Sequence, residues 1–84
     1  MNIVLTAKGP GLGAWLDPVF ARCGHLMLVD DDNRFDAWPN PQRETADAVA
    51  LARDLAARRV DAVVTGVIPP DAYALLAQAG IPVY

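Results

Sequence analysis

Apolar and polar positions alternate in blocks along the chain, and each block predicts an element. Asn2-Ile3-Val4-Leu5-Thr6 is short, β-branched and mostly apolar, which predicts a buried strand. Lys8 to Pro18 carries Gly9, Gly11 and Gly13 with prolines at 10 and 18, which predicts a glycine-rich loop. Arg22 to Asp30 is nearly continuously apolar, as expected for a strand covered on both faces. Asp31-Asp32-Asn33-Arg34 is polar and turn-forming, because Asp and Asn side chains bond their own backbone. Phe35 to Trp38 then completes a β-hairpin, and Asn40-Pro41 ends it.

The second half changes period. Glu44 to Arg59 is rich in Ala, Leu, Arg and Glu, and Ala48, Leu51, Ala52, Leu55 and Ala56 share one face of a helix. Asp47 near its start and Arg58-Arg59 near its end suit the helix dipole. Asp61 to Gly66 predicts a strand. Pro69-Pro70 opens a second helix whose buried stripe is Ala72, Leu75, Leu76 and Ala79, with Gly80 as its C′ residue. Ile81 to Tyr84 predicts a last strand. The order β-β-β-α-β-α-β predicts an α/β domain over residues 1–84, with a mixed five-stranded sheet and right-handed crossovers in its second half. Two helices leave part of such a sheet bare. A second copy or a partner is expected to cover that surface, or the chain is a short form of a longer domain.

Composition narrows the function. At 9.0 kDa, with 54% hydrophobic and 20% charged residues, the chain is a foldable small domain. A net charge of −3 argues against nucleic acid or an anionic membrane as partner. No apolar run reaches the roughly 20 residues of a membrane span. No secretory signal is visible, and the single cysteine, Cys23, has no internal disulfide partner, so a reducing cytoplasm is expected. The chain contains no serine, which removes serine-nucleophile chemistry. One cysteine and one histidine do not make a closed four-ligand zinc site.

Cys23 and His25 are the soft donors. If both lie on a strand, they and Met27 share one face, where thiolate, imidazole and thioether would offer a partial metal site. The plainer reading is that cysteine and methionine simply fill the core. The glycine loop lacks the helix that a dinucleotide fingerprint requires, so it reads as a flexible loop or as a lid over a ligand. A Cys-His nucleophilic pair has no orienting third group in the pattern. Asp30, Asp31, Asp32 and Asp36 lack calcium-loop spacing and read as a solvated turn. Trp15, Phe20, Trp38 and Tyr84 read as core or interface groups, and Arg53, Arg58 and Arg59 as a helix end.

Three ordered blocks carry a family resemblance. They are Asp17-Pro18-Val19-Phe20-Ala21-Arg22-Cys23 with Leu26 to Asp30, then Val60 to Gly66, then Pro70 to Tyr84. With them the chain resembles the dinitrogenase iron-molybdenum cofactor biosynthesis family, as a C-terminally short member. Val19 and Ala21 stand where relatives often carry His or Arg, and Gly. The resemblance implies a ribonuclease-H-like, three-layer fold. It does not imply nuclease activity, since Ile3 to Thr6 holds no carboxylate for metal-assisted hydrolysis. It implies binding without enzymatic turnover: a carrier or scaffold for an iron-sulfur or iron-molybdenum cofactor precursor, linked to nitrogen fixation. The implied contacts are Gly9, Gly11, Gly13, Phe20 and Arg22, with Cys23 and His25 as metal ligands. The implied partners are a second copy, or a nitrogenase-assembly or other metallocluster protein. The alternative is a cofactor-free interaction or oligomerisation module.

Overall fold

The apolar blocks become four strands and two helices: β1 Ile3–Ala7, β2 His25–Val29, β3 Phe35–Pro39, α1 Ala48–Ala57, β4 Ala62–Val64 and α2 Pro70–Gln78. The structure is a computed structural model and describes residues 1–9, 16–32 and 34–84. The sheet order is β3-β2-β1-β4, antiparallel across the first three strands and parallel between β1 and β4. The fold is therefore mixed α/β, as expected.

The fifth strand is not formed as a strand among the described residues. Val83 makes a single bridge to Val63, and Pro82 O, Tyr84 N and Tyr84 O bond the outer edge of β4. Pro82 has no N–H to give, which keeps this segment from extending its ladder.

The first helix is shorter than Glu44 to Arg59. Asp47 is its N-cap, and its carboxylate accepts from Ala50 N at 3.0 Å. Ala46 just before it has φ 52, and Arg59 after it has φ 57, so left-handed residues bound the helix at both ends. Arg58 and Arg59 lie past its last turn rather than in it. The second helix begins with Pro70 at N1 and ends before Gly80 at φ 77, as the sequence predicts. Ala79 is its C-cap and is exposed, so the buried stripe reduces to Ala72 and Leu76, with Leu75 partly buried beside them.

Both connections, β3 to β4 through α1 and β4 to the terminal segment through α2, step the same way across the sheet. Right-handed crossovers stepping the same way place both helices on one face. Their buried residues Leu51, Leu55, Ala72 and Leu76 accordingly join Val4, Leu26 and Val63 in one core cluster. Ile3, Leu5, Met27, Val29 and Val64 alternate with those strand residues and lie on the opposite face, outside the cluster. The described residues thus form two layers, sheet and helix, and not three. The acidic hairpin turn is solvated, as expected. Asp30 Oδ1 accepts from Asp32 N and Arg34 N, while Asp31 and Asp32 are exposed and Asp31 pairs with the Met1 ammonium.

Candidate functional site

The carboxyl end of β1 gathers the polar features. In open α/β sheets ligands bind outside the carboxyl ends of the strands at a switch point, where the connections from two neighbouring parallel strands leave in opposite directions. Here the chain leaves β1 towards β2 on one side, and leaves β4, which is parallel to β1, towards the terminal segment on the other.

Backbone bonds draw the segment after the glycine-rich loop into this end. Leu16 bridges Ala7, Asp17 N donates to Thr6 O at 2.9 Å, and Phe20 N donates to Val67 O at 3.0 Å. Beneath them the Thr6 hydroxyl donates to Asp17 O at 2.6 Å and shares a bond with the Thr65 hydroxyl at 2.9 Å. Both threonines are buried, so these bonds satisfy groups that would otherwise be costly to desolvate.

A second clamp fixes the Phe20 to Gly24 turn. Buried Asn40 donates from Nδ2 to Ala21 O and to Cys23 O, both at 3.0 Å, and its Oδ1 accepts from Gln42 N. Its own N–H donates to Gly24 O. A Cβ on Gly24 would meet Lys8 O at 2.8 Å, so only glycine lets the Cys23-Gly24-His25 segment lie against the start of the loop.

Most of the expected site residues can now be placed. Gly9 is half-buried beside this clamp, and Arg22 is exposed. Gly11 and Gly13 lie outside the described residues. Phe20 is fully buried, and its ring packs in the core cluster.

Cys23 and His25 do not share a face. The strand begins at His25, so period-2 alternation does not reach back to Cys23. Cys23 is 0% exposed and belongs to the helix-side core cluster with Phe20 and Leu26. His25 alternates with Leu26 and therefore projects from the opposite face, with Met27. Burial, reinforced by the Asp17 carboxylate, pushes the Cys23 thiol up to about 11, so it stays protonated at neutral pH.

His25 is different. It is half-buried, and its buried Nδ1 has no hydrogen-bond partner among the described residues. A neutral imidazole nitrogen left unpaired is chemically able to serve as a borderline metal donor. Among the described residues, no group of three or more His, Cys, Asp or Glu is placed to hold a metal ion.

Sequence reasoning missed Asn40, Thr6 and Thr65. Asn40 could have been suspected, since an Asn before Pro at a strand end bonds backbone two residues on. Nothing in the pattern pairs Thr6 with Thr65.

The family model described as dinitrogenase iron-molybdenum cofactor matches residues 1–84. Among solved structures, the chain is similar to the apo form of the orange protein from Desulfovibrio gigas. That match has 31% identity and a TM-score of 0.88, and covers 98% of this chain and 72% of that one. The chain is also similar to a NifB-like protein from Thermotoga, at 20% identity and TM-score 0.81, over 98% of this chain and 72% of that one. The second likeness shows the fold alone. No curated protein matches.

Proposed function

Because this chain belongs to the dinitrogenase iron-molybdenum cofactor family, we propose that it is a small cytoplasmic protein that carries or scaffolds an iron-sulfur or iron-molybdenum cofactor precursor. The family match along residues 1–84 carries this reading. The protein binds and does not turn over its cargo. The five-stranded, ribonuclease-H-like form belongs to the same proposal, with Pro82 to Tyr84 in the place of the fifth strand.

The cargo sits at the carboxyl end of β1. The half-buried ring of His25, whose Nδ1 has no hydrogen-bond partner among the described residues, supports it as the soft donor in preference to the fully buried Cys23 thiol. Exposed Arg22 and Lys8 offset the negative charge of a sulfide-rich cluster. Gly9, at the start of the glycine-rich loop, supplies a backbone N–H group to it. Its delivery partner is a nitrogenase-assembly or other metallocluster protein. Among the described residues no helix is long and apolar enough to cross a membrane.

Anaerobic incubation with iron and sulfide, read by absorbance and paramagnetic resonance, tests the reading. A cluster signal stoichiometric with folded chain is expected. A folded chain that stays colourless with these reagents, and with a preassembled cofactor precursor, contradicts it. The burial of Cys23 and the helix-free sheet face favour a second reading, a cofactor-free interaction module.

A further inference from the structure

The segment Leu16 to Phe20 lies across the carboxyl ends of β1 and β4, where an open α/β sheet otherwise presents a crevice to ligands. Polar bonds fasten it there. Asp17 N donates to Thr6 O at 2.9 Å, the Thr6 hydroxyl donates to Asp17 O at 2.6 Å, and Val67 N donates to Pro18 O at 2.5 Å. We infer that residues 16–19 are a lid over this end, and that the two donors they occupy, the Thr6 hydroxyl and the Val67 N–H, receive acceptor atoms of the cargo when the lid lifts.

The chemistry of the donors sets the class of ligand. A threonine hydroxyl carries one proton. Thr6 gives its proton to Asp17 O, which can only accept, so the 2.9 Å bond between Thr6 and Thr65 is donated by Thr65. Thr65 thereby holds the Thr6 hydroxyl aimed at the lid, and both side chains are buried. In the closed form the consecutive carbonyls Asp17 O and Pro18 O stand where ligand acceptors would. Lifting the lid strips both donors of their partners, and donors left unmade in a buried place are costly. The open form therefore favours a ligand that presents several acceptor atoms together, as the surface of a sulfide-rich cluster does.

The lid is held by its backbone and not by burial. Leu16 is 46% and Val19 40% exposed, Pro18 is exposed and Asp17 is half-buried, whereas Phe20 next to them is fully buried. A segment with few buried apolar contacts opens at lower free energy than the core, and Phe20 marks where the opening stops. Gly66 sets how closely the lid shuts. A Cβ there would lie 2.6 Å from Pro18 O and 3.0 Å from Pro18 Cα. The φ of Gly66 is not positive, so alanine suits its own backbone and clashes with the lid alone.

This inference rests on the reading that cargo sits at the carboxyl end of β1, and its test separates the two. Gly66→Ala is the open variant. Hydrogen exchange followed by NMR decides the lid. In the parent the amides of Asp17 and Val67 are protected. In Gly66→Ala they are expected to exchange within roughly tenfold of an unstructured peptide, while Leu55 and Leu76 in the helices keep about 100-fold protection or more. Lid amides that stay protected in Gly66→Ala, or helix amides that lose protection with them, overturn the lid.

Equilibrium dialysis against a preassembled, thiol-capped, water-soluble iron–sulfide cluster decides the donors. Gly66→Ala is expected to bind about fivefold more tightly than the parent or better, although it unfolds at a lower temperature, because a form already open need not be opened. Leu55→Ala, destabilised in the core, is expected to bind as the parent does. Binding by Gly66→Ala that is equal to or weaker than the parent's overturns the inference, and so does equal tightening by Leu55→Ala. An opened Gly66→Ala and a parent that both bind nothing contradict the carriage reading and the role given to the two donors, while the lid itself stands.

Discussion

Cys23 and His25 are two residues apart, yet they belong to opposite sides of the sheet. Cys23 is fully buried in the core cluster shared by the sheet and both helices. His25 projects from the face that neither helix covers. The difference teaches that a donor's value depends on the layer it falls in more than on its chemistry. A thiol is the softer ligand, but burial keeps it protonated, whereas the imidazole Nδ1 has no hydrogen-bond partner among the described residues.

The same contrast holds for packing, and the largest expected effect tests it there. Leu55 on α1 is 0% exposed in the shared core, and Leu55→Ala should cost about 2–5 kcal/mol. Leu5→Ala on the other face removes a half-buried side chain and should cost about 1 kcal/mol in the monomer. Urea denaturation of the two variants at a concentration where the chain is monomeric measures both. Equal losses would erase the distinction between the faces.

Burial of Cys23 also makes stability depend on pH. The thiol titrates near 9.0 when free and about 11 in the fold. The unfolded chain therefore loses this proton first as pH rises. Stability from this group is complete below pH 9 and is lost between about pH 9 and 11, by roughly 3 kcal/mol at most. Cys23→Ala should lack that part of the alkaline slope. Parallel pH profiles of parent and variant would show that the thiol is not desolvated.

Asn40 holds the turn that keeps the two donors apart. Asn40→Ala strips partners from Ala21 O, Cys23 O and Gln42 N and should cost about 1–3 kcal/mol. It should also raise the reaction rate of Cys23 with a thiol reagent, since the turn opens more often. An unchanged rate would mean that other contacts seal the thiol. The smallest effect is expected at Arg58, whose guanidinium lies 4.2 Å from the Trp38 ring centroid. Arg58→Ala should cost about 0.5–1 kcal/mol in thermal unfolding, as expected of an exposed cation–π contact.

The elements were largely legible in the sequence, because amphipathic period and proline punctuation report them directly. Pro70 and Gly80 bound α2 where the sequence predicts. Composition extends the first helix too far, because Glu44 and Thr45 look helical by residue type. Left-handed Ala46 and the Asp47 cap decide its start, and those are backbone facts that propensity does not carry. The site was legible as a region and not as a geometry. The apolar run from Arg22 to Asp30 places Gly24 inside the strand, but its lack of a side chain marks the close approach to Lys8 at which β2 has not yet begun. That one offset reverses the expected pairing of Cys23 with His25.

The most direct measurement is anaerobic iron and sulfide reconstitution of Cys23→Ala and His25→Ala beside the parent, with each variant first shown to be folded. The account expects the cluster signal to survive in Cys23→Ala and to be lost in His25→Ala. A signal that disappears with Cys23 and persists without His25 would contradict it, and would place the cargo within the helix-side layer.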